Sequence, residues 1–264
     1  MALKKTYEEA AIHDRWESVY RSDPTQNRLN DQIMDRVLRY VKPSLGALFL
    51  DAGCGTGDHS IRIARRGFQC VGADISESII NKGRDNARKT PLETKIVFVC
   101  QSLEELAFAD EQFDVVHCRG VLMHIPEWEK ALAQLCRALK PGGKIVIIES
   151  NHTSLETALV RIVRCFKTGK SKLTKRVGGL EFWSEENENP FVVRITDVAA
   201  LIRELKKNKI RRIRRFATEF WDINRFPAGA LRRAAIRFNQ VWFVLHLPAF
   251  PSSGSALIGE RAIM

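Results

Sequence analysis

Within residues 47–60, ALFLDAGCGTGDHS, an acidic residue and three glycines stand at a spacing suited to holding a ligand. Asp51 closes an apolar run, Gly53, Gly55 and Gly57 follow at alternate positions, and an amphipathic stretch begins near Asp58. Glycine lets backbone turn sharply and lets a ligand approach closely. The N–H groups that open the following helix have no intrahelical partner and attract an anionic group. A nucleotide-like cofactor is the first implication. A dinucleotide fits poorly: the third glycine of G-x-G-x-x-G is replaced by Asp58, and the Asp51 charge would oppose a pyrophosphate. A carboxylate at that mouth suits a ligand with positive charge nearby, such as an amino group or a sulfonium. Asp74, 21 positions beyond Gly53, ends the next apolar run, where a carboxylate can accept both hydroxyls of a ribose.

The elements that must position these residues alternate in type. Short apolar runs at 47–51, 68–74, 95–100, 113–118 and 143–150 read as strands, and amphipathic stretches at 57–66, 76–89 and 127–139 read as helices between them. Such alternation predicts a parallel sheet covered on both faces, with ligands at the carboxyl ends of the strands. Two helices, 6–22 and 31–41, are expected ahead of it, the second with Asn30 as N-cap and an apolar stripe of Ile33, Met34, Val37, Leu38 and Val41. Beyond residue 150 the expected elements are a helix over 154–166, an irregular stretch over 167–193, a helix over 196–207 capped by Thr196, a strand at IRRIRRFATEFW, and a final strand at SALIGERAIM. The domain reading is one unit: N-terminal helices or lid 1–42, binding core 43–152, basic and apolar insertions 153–254, last strand 255–264.

Composition narrows the setting. The 264 residues, 45% apolar and 28% charged, suit one large α/β domain. Six cysteines at no metal or disulfide spacing read as buried free thiols in a reducing compartment, and no bound metal is expected. The start lacks the apolar region of a secretory signal, which leads to the expectation of a cytoplasmic protein. Residues 1–160 are nearly neutral, with 21 Lys+Arg against 22 Asp+Glu, whereas residues 161–264 hold 21 against 9. That asymmetry points to an anionic partner for the C-terminal part, or to a solvated basic face without one.

LFLDAGCGTG (48–57), CVGADIS (70–76), LEELAFADEQFDVVHCRGVLMHIP (103–126) and LKPGGKIVIIES (139–150) together resemble the class I S-adenosylmethionine-dependent methyltransferases, most of all the group with the ubiquinone and menaquinone biosynthesis enzymes. Trp16 and the N-terminal helices fit that group as well. The resemblance covers residues 30–152 and, loosely, the last strand. It implies a Rossmann-like fold with a mostly parallel seven-stranded sheet, an antiparallel last strand, and S-adenosyl-L-methionine as cofactor. By the same resemblance Asp51 and the backbone of Gly53, Cys54 and Gly55 would hold the methionine part, Asp74 the ribose, and Ile75 the adenine face. Ser102, where many members carry Asp, and Leu103 would meet the adenine edge, and Arg119 would line the pocket beside the sulfonium.

Methyl transfer from a sulfonium is an in-line displacement in which the protein aligns the partners and excludes water. A base is needed only for a nucleophile that arrives protonated. The candidates at the strand ends are His124, Glu149 and His152, each with a structural role as the alternative; His117 is expected to lie inert inside its strand. O-methylation of a small or lipid-like molecule is the favoured reaction. Arg211, Arg212, Arg214 and Arg215, with the apolar run Val241–Leu245 that includes Trp242 and Phe243, could form a peripheral membrane site at the inner face of the membrane. The same run could instead be a core helix. An RNA or protein methyltransferase docking through the basic region is the alternative function, although no Asn/Asp-Pro-Pro-Tyr-type motif follows the fourth strand and the cluster lacks interleaved aromatics. A non-catalytic binding protein on the same fold is the third reading.

Overall fold

The computed structural model describes residues 23–165, 173–184 and 191–263, with the side chains of residues 164, 165, 173, 183, 184 and 191 left aside. The expected helix 6–22, with Trp16, lies outside them. The first described helix, α1 (Pro24–Val41), begins six residues before the predicted Asn30 cap. Asp23 caps it, accepting from the Thr25 and Gln26 N–H groups at 2.7 and 3.3 Å. Pro24 follows at the first helical position, where its missing N–H costs nothing. Asn30 is instead buried within the helix.

Strands β1 (Leu48–Ala52), β2 (Gln69–Asp74), β3 (Ile96–Cys100), β4 (Phe113–Arg119) and β5 (Leu139–Ser150) alternate with α2 (Asp58–Arg65), α3 (Glu77–Arg88) and α4 (Trp128–Ala138). The chain continues through α5 (Leu155–Cys165), β6 (Leu173–Arg176), β7 (Gly179–Ser184), β8 (Phe191–Thr196), α6 (Val198–Lys207), β9 (Ile210–Glu219), α7 (Ala230–Val244) and β10 (Gly254–Arg261). Among the described residues one sheet has seven strands, in the order β3-β2-β1-β4-β5-β10-β9, and a second has three, β6-β7-β8. β1 to β5 pair in parallel, and β10 runs antiparallel to both β5 and β9. The fold is therefore the expected Rossmann-like one.

Successive strand residues point to opposite faces of the sheet, and both faces are covered. Leu50, Ala52, Val116, Cys118, Ile145 and Ile147 meet Leu132 and Leu135 of α4 and Leu201 and Leu205 of α6. Phe49, Val115, Val146 and Ile148 meet Ile33, Met34 and Val37 of α1, Ile63 of α2 and Phe243 of α7. Helix α6 is capped by Asp197, which accepts from Ala199 and Ala200, rather than by the predicted Thr196, which still pairs in β8. Where irregular chain was expected, β6 to β8 form the small antiparallel sheet; their four to six residues carry mixed charge that masks the alternation. Cys54, Cys70, Cys118 and Cys136 are buried free thiols as predicted, but Cys100, at the end of edge strand β3, is exposed. Among the described residues no helix is long and apolar enough to cross a membrane.

Candidate functional site

The glycine turn after β1 is tied to β2 by two hydrogen bonds: the Gly53 and Cys54 N–H groups both donate to the Ala73 carbonyl, at 2.8 and 3.0 Å. Gly53, Gly55 and Gly57 all have positive φ, at 70°, 52° and 80°, where a Cβ is strained. Their surroundings differ. A Cβ on Gly53 would lie 2.3 Å from a methyl of Val121, and one on Gly57 would lie 2.6 Å from the Phe98 ring. Among the described residues a Cβ on Gly55 would meet nothing within 4 Å, and the same holds for Gly120 just past β4. Gly53 and Gly57 are thus required by the protein's own packing, while Gly55 and Gly120 border open space at the carboxyl ends of neighbouring strands.

Asp74 faces this space from β2. Its Oδ2 accepts the Gly55 N–H at 2.9 Å and its Oδ1 accepts the Ser76 N–H at 3.1 Å. A carboxylate oxygen can accept two hydrogen bonds, so one site remains on each oxygen for a vicinal diol. That set of acceptors beside an open glycine turn fits an adenosyl group with its ribose. Ile75 follows, half-buried, its carbonyl accepting from the Cys100 thiol at 3.3 Å. Across the β3 end the Ser102 Oγ accepts the Glu104 N–H at 3.2 Å, and Leu103 is buried against the core.

Asp51 is placed differently. Its side chain lies on the α1–α2 face of the sheet, 3% exposed, with Oδ2 accepting the Ser60 hydroxyl at 2.6 Å and Oδ1 2.8 Å from His117 Nδ1. Both oxygens have partners beneath the turn. His117 was expected to be inert; it is buried in β4 as predicted, yet it partners the acidic residue of the glycine motif, and its Nε2 has no hydrogen-bond partner among the described residues. Asp51 and His117 are register partners in the β1–β4 pair, a juxtaposition that sequence spacing alone does not reveal.

Arg119, at the end of β4, reaches across to β9, where its Nη2 donates to Glu219 Oε1 at 2.8 Å; Gln26 of α1 contacts the same oxygen at 3.4 Å. Burial pushes the Glu219 carboxyl above its ordinary range, and Arg119 opposes that push.

The three proposed bases face the small sheet or the loop after β4. Glu149 accepts the Val121 and Leu122 N–H groups at 3.1 and 2.9 Å, and burial pushes its carboxyl up to about 7. Its Oε2 has no hydrogen-bond partner among the described residues, and it lines a cavity with Arg194, Thr196 and Trp128. His124 Nδ1 lies 3.1 Å from the Val192 carbonyl and His152 Nδ1 3.3 Å from the Thr196 carbonyl, both in β8. Arg194 of β8 completes this junction. It is 2% exposed, binds Glu181 through two nitrogens at 2.7 and 3.0 Å, and donates to the carbonyls of Leu122 and Ile125 at 2.9 Å and of Pro126 at 3.3 Å. The loop between β4 and α4 is therefore held from below by Glu149 and from the side by Arg194. Arg194, a lone arginine between the stretch read as irregular and the predicted helix, gave no sign of this role.

The basic cluster lies on β9, at the sheet edge. Arg212 is exposed, Arg214 sits over the Tyr40 ring at 5.6 Å, and Arg215 is partly buried, donating to Ser255 Oγ and the Ala249 carbonyl. Phe243 faces inward, with the Arg36 guanidinium 3.7 Å over its ring, so it cannot meet a membrane as expected. Trp242 is half-buried against Phe220 and Phe238.

Residues 50–147 match the family model described as a methyltransferase domain. The chain is 38% identical over 114 residues, 42% of its length and 44% of the relative's, to the ubiquinone/menaquinone biosynthesis C-methyltransferase of Vibrio parahaemolyticus. It is 30% identical over 146 residues, 55% of its length and 53% of the relative's, to the 27-O-demethylrifamycin SV methyltransferase of Amycolatopsis mediterranei. The aligned region thus spans about half the length of these curated relatives. The fold is shared with the magnesium protoporphyrin IX methyltransferase of Synechocystis, solved with SAH bound, at a TM-score of 0.63 and 18% identity, covering 97% of each chain.

Proposed function

We propose that this chain, a member of the class I S-adenosylmethionine-dependent methyltransferases, transfers a methyl group from S-adenosyl-L-methionine to a small apolar acceptor. The observation that carries this reading is the meeting of Gly55 and Asp74: an open, backbone-lined turn beside a carboxylate that keeps accepting capacity. The cofactor, when bound, supplies an activated methyl carbon on a sulfonium. Asp74 accepts from its ribose hydroxyls and Ile75 covers the adenine, whose edge meets Ser102 and the Leu103 amide. The backbone of Gly53, Cys54 and Gly55 holds the methionine part. Asp51 supports that turn from beneath, through Ser60 and His117, and Arg119 borders the pocket on the β4 side.

The acceptor approaches over the loop that Glu149 and Arg194 hold. We assign the methyl to a hydroxyl oxygen; transfer to a ring carbon is the second reading, favoured by the C-methyltransferase among the relatives. Where the acceptor arrives protonated, His124, Glu149 and His152 are the bases available, and a group titrating near neutrality suits that task. The charge of residues 161–264 supports a station at the inner face of an anionic membrane.

Labelled cofactor incubated with lipid extract, RNA and protein fractions tests this reading. Label is expected in the organic-soluble fraction, on a product whose methyl is released by ether cleavage. A cleavage-resistant methyl assigns the carbon instead. Label confined to RNA or protein overturns the acceptor class, and cofactor binding without any transfer overturns catalysis.

A further inference from the structure

Two helices of the C-terminal half present apolar side chains to solvent on one face each. On α5, Leu155, Leu159, Ile162 and Val163 are each between 45% and 56% exposed, at i, i+4, i+7 and i+8. On α7 and the residue after it, Leu231, Phe238, Val241 and Leu245 are between 43% and 62% exposed, at i, i+7, i+10 and i+14. The chain between α7 and β10 links the two helices. Trp242 Nε1 donates to the Pro248 carbonyl at 3.3 Å, and the Leu155 N–H donates to the Pro251 carbonyl at 3.1 Å. Between them Phe250 is 67% exposed. Apolar surface of this extent marks an interaction site.

Charge identifies the partner. Residues 230–259 contain Arg232, Arg233 and Arg237 and no Asp or Glu. Arg233 and Arg237 are exposed on α7, and Arg161 is exposed on α5. Arg237, one residue before Phe238 and four before Val241, borders the α7 stripe, and residues 230–259 carry no acid to oppose an anionic surface; this matches the headgroup region of an anionic bilayer. A second copy fits poorly, because a two-fold contact through this face would bring the arginines of both copies into one interface with no acid from residues 230–259 to offset them.

The position of the face relates it to the site. Helix α5 begins just after β5 ends, and Gly254 pairs with both Ser150 and Glu219, the terminal residues of β5 and β9. Glu219 in turn holds Arg119 at the end of β4. The apolar face thus adjoins the carboxyl edge that carries the glycine turn.

We propose that the face formed by α5, the 245–251 segment and α7 docks on the headgroup region of an anionic lipid bilayer and turns the acceptor side of the site toward it. This relocates the membrane contact away from Arg211–Arg215 and Phe243. It rests on the methyltransferase reading for what is delivered and on the exposed face alone for docking.

Flotation of the full chain with phosphatidylglycerol-containing vesicles, against phosphatidylcholine vesicles, tests it. Binding is expected only to the anionic vesicles and weakens with added salt. Val241→Glu with Leu245→Glu, and separately Leu159→Glu with Ile162→Glu, are expected to weaken it at least about tenfold. Both variants should keep the parent's melting temperature and its affinity for S-adenosylhomocysteine. Arg233→Lys with Arg237→Lys is expected to bind as the parent does. A parent protein that stays unbound, or glutamate variants that float equally well, overturns the proposal. So does a concentration-dependent dimer, seen by sedimentation velocity and abolished by the same variants, in a parent that does not float. A parent that binds cofactor but does not float removes the docking face alone; a parent that floats but binds no cofactor removes the methyltransferase reading alone.

Discussion

The glycine turn after β1 and the junction between the β4–α4 loop and the small sheet stand at the same edge of the main sheet, but they are built from different material. The turn is made of backbone: three glycines at positive φ, two N–H groups on one carbonyl, and a single carboxylate, Asp74, that closes the mouth. The junction is made of buried charge: Arg194 with Glu181, and Glu149 on two backbone amides. The first arrangement leaves space for a ligand of fixed shape. The second fixes a loop whose exposed side is free to differ with the acceptor. A backbone cradle depends on local sequence, whereas a buried charge depends on what the tertiary fold sets against it.

Substitutions at the two places should therefore fail in different ways. Arg194→Met removes the buried guanidinium that binds Glu181 and frees three carbonyls; removing one member of a buried pair costs about 3–5 kcal/mol. Denaturant unfolding is expected to show that loss, and Arg194→Met combined with Glu181→Leu should recover part of it. Gly53→Ala adds a Cβ at positive φ against Val121 and is expected to cost about 2–4 kcal/mol from strain and overpacking together. Its affinity for S-adenosylhomocysteine should fall with its stability, whereas Gly55→Ala, with open space above it, should lose affinity with a smaller change in melting temperature. Equal behaviour of the two glycine variants would break the distinction between packing and ligand-facing positions.

Glu149 offers a pH test of the junction. Its carboxyl is raised to about 7 by burial, from an ordinary 4.5, so the folded protein holds a proton that the unfolded chain releases. The native state then binds more protons, and stability falls as pH rises from about 4.5 through 7, by on the order of 3 kcal/mol in full. Relative to the parent, Glu149→Gln should flatten that slope in pH-dependent unfolding. At the small end, Arg212 is exposed and its contact with Glu260 is 3.4 Å long. Arg212→Ala is expected to change stability by less than about 0.5 kcal/mol.

The sheet and the turn were legible because their signals are local. Apolar runs ending in Asp51 and Asp74, with glycines at alternate positions, mark strand, turn and helix within a few residues of each other. The turn's lower support was not legible. Asp51 meets His117 only because β1 and β4 pair in one register, and nothing in the sequence near residue 117 announces it. The junction with the small sheet was hidden for the same reason: Arg194 acts on Leu122, Ile125 and Pro126, about 70 residues away. Val241–Leu245 was ambiguous by periodicity and divides between core and surface, with Phe243 in the core and Val241 and Leu245 exposed.

The central claim is that Asp74 and the glycine turn hold S-adenosylmethionine. Calorimetric titration of S-adenosylhomocysteine into the parent and into Asp74→Ala tests it most directly. The parent is expected to bind one equivalent. Loss of hydrogen bonds to a charged group, at about 1.5–3 kcal/mol, should weaken the variant by roughly 10- to 100-fold. A parent that binds no ligand, or a folded variant that binds as tightly as the parent, would contradict the account.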